Sequence, residues 1–211
     1  LILASGTRYS EDNYSLVIIA SSKNGNVVGV DLKSVSRLWS LQLTSPVTAA
    51  AAFGTNSKIM LDEELQRTSV FIAGTDQYLR AVDLHTGKRR WNILTTAKLV
   101  DPPVFLKDRV YQRIPNSGLA SYFAFPGLLS GKQEWLANDV FGNVITTTKQ
   151  GKLVCWDQEN SILQIVDPRK GGVISTLSIP NIKTIISDKP TYGSLTALTN
   201  DNLLFHLVPR Q

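Results

Sequence analysis

Two aspartates and two tryptophans recur at the same interval in this chain, and that interval limits the folds it can adopt. Asp31 and Asp83 lie 52 residues apart (83 − 31), and Trp39 and Trp91 lie 52 residues apart as well (91 − 39). Around each pair, short runs of Val, Ile, Tyr and Thr are separated by turns of Gly, Asn and Asp. This pattern predicts repeated small antiparallel sheets, because helical repeats of similar length would show a 3.6-residue period instead.

A third copy of the repeat ends on Trp135. In it, Gly131 precedes the tryptophan by four residues, as Gly87 precedes Trp91 in the second copy. A last unit, over residues 194–208, has two apolar runs around an Asn-Asp-Asn turn and predicts a hairpin. The repeat therefore extends along most of the chain.

The fourth copy lacks the final tryptophan. Its position falls on Ile165 if Asp157 is taken as the landmark aspartate, and on Ser175 if Asp167 is the landmark. The sequence leaves both alignments open.

The predicted fold is all-β, a β-propeller of four-stranded antiparallel blades. At about 40–50 residues per blade, about four to five blades are visible in the chain. We expect residues 1–211 to form a single β-propeller domain. Either the chain is part of a larger protein, or it omits segments of the propeller, or a small propeller closes on itself; we favour the first two together. Residues 45–52, with their run of alanines, fit a short helix or a buried strand.

The segment from Ala81 to Trp91 has the spacing Ala-x-Asp-x-x-Thr-Gly-x-x-x-Trp. It resembles the tryptophan docking motif of the pyrroloquinoline-quinone-type (quinoprotein-like) β-propellers, and the resemblance covers most of residues 17–207. The WD40 propellers are the second choice, because Cys155-Trp156-Asp157 closes a strand but no Gly-His pair accompanies it. The resemblance implies a structural docking role, without a ligand, for Trp39, Trp91, Trp135, Asp31, Asp83, Gly87 and Gly131.

Residues for catalysis are scarce in the sequence. Two histidines, His85 and His206, and one cysteine, Cys155, do not suit a His/Cys metal cage, and neither a Gly-x-Ser-x-Gly elbow nor a phosphate loop is present. We therefore predict no catalytic, cofactor-binding or metal-binding residues and no cofactor. The quinoprotein dehydrogenases that the chain resembles use a disulfide between adjacent cysteines, which a lone Cys155 cannot form. Whether the chain is an enzyme stays open, and we favour a non-catalytic role.

Three functions remain as hypotheses. The first is a protein-interaction or scaffold module within a larger protein or complex, which binds a protein partner by its loops or by adding a strand to a blade edge. The insertion at residues 54–68 is a candidate partner loop, or simply a variable surface loop. The second is a portion or subunit of a quinoprotein-type oxidoreductase. The third is a carbohydrate- or polymer-binding propeller, with Trp156 as the stacking platform to examine.

The net charge is +5, from 22 Lys and Arg against 17 Asp and Glu, and these charges are spread along the chain. The densest basic cluster, Lys88-Arg89-Arg90, would alternate between the two faces of a strand. We therefore expect no nucleic-acid partner, and no apolar run is long enough to predict membrane insertion. A small-molecule ligand is left open. The family resemblance, and nothing in the composition, implies an extracytoplasmic location, periplasmic or secreted.

Overall fold

The computed structural model describes residues 2–8, 15–55, 68–125 and 129–207. Most of the candidate partner loop at residues 54–68 lies outside the described residues.

The described residues form five sheets, numbered here in chain order. The first sheet contains β1 (Ile2–Arg8), β2 (Ser15–Ser21), β3 (Asn26–Asp31) and β4 (Ser36–Gln42). The second contains β5 (Ala52–Gly54), β6 (Ser69–Ala73), β7 (Tyr78–Asp83) and β8 (Arg89–Leu94). The third contains β9 (Val104–Leu106), β10 (Arg109–Ile114), β11 (Gly118–Phe123) and β12 (Gln133–Ala137). The fourth contains β13 (Asn143–Thr147), β14 (Leu153–Asp157), β15 (Ile162–Val166) and β16 (Val173–Ser178). The fifth contains β17 (Ile182–Ser187), β18 (Leu195–Thr199) and β19 (Leu204–Leu207).

In every sheet the strands are neighbours in sequence order, so each sheet is an antiparallel meander. The prediction of an all-β chain built from four-stranded sheets is confirmed for the first four sheets, and three strands are described in the fifth. The alanine-rich segment at residues 45–52 is neither the short helix nor the strand that we considered, because it is irregular until β5 begins at Ala52. Within the described residues, no helix is long and apolar enough to span a membrane.

The contacts of the chain divide it into two compact units. One contains Leu1–Val110 and Tyr122–Gln133, and the other contains Tyr111–Ser121 and Glu134–Gln211. The core cluster of the first unit lies between its first two sheets and contains Val17, Ile19, Val27, Trp39, Leu43, Val47, Val70, Ile72, Val82 and Leu84. In the second unit, Trp156 of β14 packs against Ile185 and Ala197 of the fifth sheet. Within each unit, apolar faces of successive sheets are thus buried against one another, which is the main stabilising contribution expected for such a stack.

The turn between β7 and β8 shows the local geometry of the repeat. The Gly87 amide donates to the Asp83 carbonyl over 2.9 Å, and the Asp83 amide donates to the Lys88 carbonyl over 2.8 Å. Gly87 has a φ of 66°, in the left-handed region that glycine adopts without a steric cost. The glycine of the motif is therefore required by the conformation of the turn.

The turn between β15 and β16 repeats this geometry, and it settles the alignment of the fourth copy. The Gly171 amide donates to the Asp167 carbonyl over 2.8 Å, and the Asp167 amide donates to the Gly172 carbonyl over 2.9 Å. Asp167 is therefore the landmark aspartate, and Ser175, four residues after Gly171, takes the position that tryptophan has in the earlier copies. The alternative alignment on Ile165 is excluded, because Ile165 lies in β15.

Candidate functional site

Trp39, on β4, lies against the turn of the second sheet. Its Nε1 donates a hydrogen bond of 2.8 Å to the Leu84 carbonyl, and the ring is buried. A β-carbon at Gly87 would lie 2.6 Å from Trp39 Cδ2, so only glycine allows the indole to approach this closely. The structure thus brings together Trp39 and Gly87, two residues singled out from the sequence.

Trp91, on β8, makes the same contact with the third sheet. Its Nε1 donates to the Ala124 carbonyl over 3.0 Å. A β-carbon at Gly131 would lie 3.2 Å from Trp91 Cγ. Phe71 lies on the same sheet as Trp91, and the centroids of the two rings are 5.8 Å apart. Trp91 and Gly131 are therefore also in contact.

Trp135, on β12, repeats the arrangement within the second unit. Its Nε1 donates to the Pro168 carbonyl over 3.1 Å, and a β-carbon at Gly171 would lie 2.6 Å from Trp135 Cε3. The three carbonyl acceptors were not identified from the sequence, since any residue type can supply a carbonyl. The three acceptor residues share a position, because each comes directly after the first residue of its turn.

The side chains of Asp31 and Asp83 accept hydrogen bonds from backbone amides of their own turns. The Lys33 amide donates to Asp31 Oδ1 over 2.9 Å. Asp83 Oδ1 accepts from the Thr86 amide over 2.9 Å and from the Thr86 hydroxyl over 3.0 Å. In the first sheet Val35 takes the place of the turn glycine, with a φ of 50°. Asp83 therefore fixes the turn on which Trp39 of the preceding sheet rests, and Asp31 has the corresponding position in the turn of the first sheet.

Among the four strands that end the complete sheets, β16 differs from the other three. The strands β4, β8 and β12 each carry charged side chains and a buried tryptophan. The sequence of β16 is Val-Ile-Ser-Thr-Leu-Ser, without a charge or a proline, and every side chain from Ile174 to Ser178 is exposed. It is an edge strand of its sheet. An uncharged, exposed edge strand is a template for pairing with another chain.

Comparisons with known proteins identify the repeat. A family model for outer membrane protein assembly factor BamB, built on PQQ-type repeats, matches residues 12–177. The chain belongs to this family. The resemblance to PQQ-type propellers that the docking motif indicated is thereby confirmed. No curated protein sequence has a significant match to the chain.

Solved structures confirm the propeller fold of this PQQ-type chain. The β-propeller domain of Cps50 (Swd1) from Myceliophteria thermophila is 15% identical with a TM-score of 0.67, and the match covers 99% of this chain and 69% of that one. BamB from Moraxella catarrhalis is 15% identical with a TM-score of 0.61, covering 97% and 64%. BBS1N, solved in complex with ARL6DN, is 15% identical with a TM-score of 0.68, covering 99% and 62%. At these identities the likeness shows the fold alone, and the chain spans less than two thirds of the length of the last two.

Trp156 of this PQQ-type propeller is buried, with 5% of its surface exposed. It packs against Ile185 and Ala197, so it has no free face for a sugar ring. The hypothesis of Trp156 as a stacking platform is therefore wrong, because the residue occupies the space between two sheets.

The structure also shows the surroundings of the cysteine and the two histidines. Burial raises the pKa of the Cys155 thiol to about 12, so the thiol stays protonated at neutral pH. His206 Nδ1 lies 3.1 Å from the Thr196 hydroxyl on an exposed part of the fifth sheet, and His85 lies in the turn after β7. Among the described residues, no group of three or more His, Cys, Asp or Glu side chains is arranged to hold a metal ion.

Arg90 belongs to the basic cluster Lys88-Arg89-Arg90, and its side chain is engaged within the second sheet. Its Nη2 lies 2.8 Å from Asp83 Oδ2, and its Nη1 donates to the Ser69 hydroxyl over 3.0 Å. Burial raises the pKa of the Asp83 carboxyl, but the hydrogen bonds from Arg90 and Thr86 outweigh burial and hold that pKa below its ordinary value. The ionised carboxylate is therefore the form that the folded protein stabilises.

This pKa direction gives a pH-dependent prediction. A carboxyl group whose pKa is lowered on folding stabilises the protein above its unfolded-state pKa of about 3.9, and that contribution is lost as the pH falls through the lower folded value. We expect Asp83→Asn to lower the free energy of unfolding by about 1–3 kcal/mol at neutral pH. This difference in the free energy of unfolding should become progressively smaller below about pH 4. Urea unfolding at several pH values measures this. Asp139→Asn, at an exposed aspartate, is the control. A difference that stays constant down to strongly acidic pH would contradict the role of the Arg90 pair.

Proposed function

We propose that the chain is a non-catalytic protein-interaction module, a PQQ-type propeller that holds a protein partner within a larger protein or assembly. In this proposal residues 1–211 belong to one propeller domain, and the location is extracytoplasmic. The family supports the location and the role, since its model is named for an outer membrane assembly factor. The observation that carries the proposal is the uncharged, exposed edge of β16.

We propose that Trp39, Trp91 and Trp135, together with Gly87 and Gly131, are docking residues that make the propeller rigid. The support is that the same indole-to-carbonyl hydrogen bond occurs three times with lengths of 2.8, 3.0 and 3.1 Å. A rigid scaffold presents edges and loops with a smaller loss of conformational entropy on binding than a flexible one. The docking residues therefore serve the partner site indirectly.

The open edge of β16 has two backbone amides that suit a partner strand. The Ile179 amide donates to the Ser161 carbonyl, toward β15. Because alternate amides of an antiparallel strand point the same way, the amides of Thr176 and Ser178 point away from β15. Ser178 pairs with Ile162 and Thr176 pairs with Gln164, so this part of the strand is regular. An added strand would complete these hydrogen bonds.

The side chains of β16 favour an apolar, extended partner segment. Leu177 and Ile174 are more than half exposed. The corresponding strand β8 carries the exposed Arg89, whose charge discourages pairing with another chain. Because β16 has neither charge nor proline, we propose that it accepts a strand with alternating apolar residues. BBS1N, a structure of the same fold, was solved in complex with ARL6DN.

The test uses proline substitutions at equivalent positions of two edge strands. Thr176 follows the docking position Ser175, as Asn92 follows Trp91. Proline removes the outward amide of Thr176 without removing a hydrogen bond to β15. We expect protein purified from its own source to carry a stoichiometric companion, and Thr176→Pro to reduce that companion at least about tenfold, whereas Asn92→Pro retains it.

Circular dichroism and thermal unfolding of both proline variants serve as folding controls. If Thr176→Pro is folded and keeps its companion, or if both variants lose it equally, the β16 edge is not the partner site. A protein that purifies alone, with a mass equal to that of the chain, would contradict the interaction module itself.

A further inference from the structure

A cavity of about 380 Å³ lies between the fourth and fifth sheets, within the second unit. Its wall combines the end of β13 and the turn that follows with the segment between β17 and β18 and the end of β19. Ligand pockets in proteins have volumes of about 300–1,000 Å³. A cavity at the lower end of that range has room for one side chain or a molecule of similar size.

The cavity wall is held in place by hydrogen bonds between the two sheets. The Tyr192 amide donates to the Thr147 carbonyl over 3.1 Å, and the Gly193 amide donates to Thr146 Oγ1 over 2.9 Å. The Thr146 hydroxyl in turn donates to the Lys189 carbonyl over 2.9 Å. Because these hydrogen bonds hold the wall, the cavity is present before an occupant binds.

Tyr192 has an unusual backbone conformation at this wall. Its φ is 48°, a left-handed value that is rare for a bulky residue. Such residues persist where the surrounding structure fixes them, and they cluster at binding sites. Tyr192 is one of the residues that line the cavity.

The surface of the cavity is mainly apolar. Val154, Leu195 and Leu207 line it together with Tyr192. The hydroxyl of Thr146 is already engaged with backbone groups, and that of Thr147 accepts from the Tyr192 amide. An occupant therefore meets apolar surface and gains by leaving water.

The rim supplies one charge. Lys149 is the one charged side chain among the described residues that line the cavity, and it is exposed. No carboxylate lines the cavity with it, so an anionic group beside an apolar one is complementary to this site.

We propose that this cavity binds a peptide segment that inserts an aromatic or branched aliphatic side chain and places an adjacent Asp or Glu carboxylate near Lys149. This inference rests on the proposed function, because it assigns chemistry to a protein partner, but it uses a surface other than the β16 edge. Its success or failure is therefore measured independently of the edge strand.

The test is nuclear magnetic resonance titration of the full chain with three blocked tetrapeptides. They are acetyl-Gly-Phe-Asp-Gly-amide, acetyl-Gly-Phe-Lys-Gly-amide and acetyl-Gly-Ala-Asp-Gly-amide. We expect the Phe-Asp peptide to shift the amide signals of residues 146–150 and 192–195. It should bind about tenfold more tightly than the Ala-Asp peptide, which lacks the apolar group. It should bind about threefold more tightly than the Phe-Lys peptide, a preference that salt reduces.

Substitutions at Lys149 and Leu207 test separately the contribution of the charge and that of the apolar surface. Lys149→Glu should remove or invert the preference for Phe-Asp over Phe-Lys, whereas Lys183→Glu, at an exposed lysine of β17 outside the cavity, should leave it unchanged. Leu207→Ser should weaken both Phe peptides, whereas Leu177→Ser should weaken neither. Both leucines are more than half exposed, so these variants leave the core intact.

Several results would overturn the proposal. These are the absence of shifts at the cavity amides, equal binding of the Ala-Asp peptide, or insensitivity to both Lys149→Glu and Leu207→Ser. Thr176→Pro distinguishes the two sites, since it should leave peptide binding at the cavity unchanged. If Thr176→Pro abolishes peptide binding, the peptides bind to the β16 edge and the cavity is not their site.

Discussion

Replacing Trp91 by alanine is expected to lower the free energy of unfolding by about 3–5 kcal/mol, as for other buried large-to-small substitutions. The indole is 8% exposed, packs on Phe71 and bonds to the Ala124 carbonyl. The substitution leaves a cavity in the first unit and also removes the hydrogen-bond donor to that carbonyl. Urea unfolding followed by circular dichroism gives the change.

The control for this experiment is Asn92→Ala, at the exposed neighbour of Trp91 on the same strand. It should change the free energy of unfolding by less than about 0.5 kcal/mol. A Trp91→Ala variant that retains its melting temperature but loses a partner would contradict the docking role and make Trp91 a binding residue.

The second large effect is expected at Gly171, where alanine should cost about 2–4 kcal/mol of stability. Gly171 has a φ of 72°, which alanine adopts only with strain. Its added methyl group would also lie 2.6 Å from the Trp135 ring, which is buried and cannot move away freely. Thermal and urea unfolding measure the loss.

The adjacent Gly172 offers a matched control. It is exposed, and a β-carbon there would meet no atom within 4 Å. Gly172→Ala should therefore be neutral within about 0.5 kcal/mol. Equal effects of the two substitutions would show that the Trp135 contact does not constrain the turn.

Much of the fold is predictable from the sequence because the turns carry local signals. Asp83, Thr86 and Gly87 interact within a few residues of one another, so their spacing alone indicates the turn. The tryptophan four residues after Gly87 follows from the same register. The pairs Trp39 with Gly87 and Trp91 with Gly131 lie together in the structure.

The alignment of the fourth copy could not be predicted, and the reason is physical. Asp157 accepts hydrogen bonds from the amides of Glu159 and Asn160, over 3.1 and 3.3 Å. The turn after β14 therefore resembles the repeat turn in its local chemistry. The true turn is also the one that accepts the bond from Trp135, at the Pro168 carbonyl, across 33 residues. Local spacing contains no information about such a bond.

The two proposed binding surfaces could not be predicted from the sequence either. The cavity combines Lys149 with Tyr192 and Leu207, which are brought together by the packing of two sheets. The β16 edge is recognisable only after Ser175 is aligned with the tryptophans, since its missing charges become informative by comparison with β8. The burial of Trp156 likewise depends on Ile185 and Ala197 of the next sheet.

The central claim, a partner strand on β16, is tested most directly by amide hydrogen exchange of the protein with and without its natively purified companion. The account predicts that exchange slows in Val173–Ser178 on binding, while exchange in Arg89–Leu94 is unchanged. Slowed exchange elsewhere, with Val173–Ser178 unaffected by the companion, would contradict it.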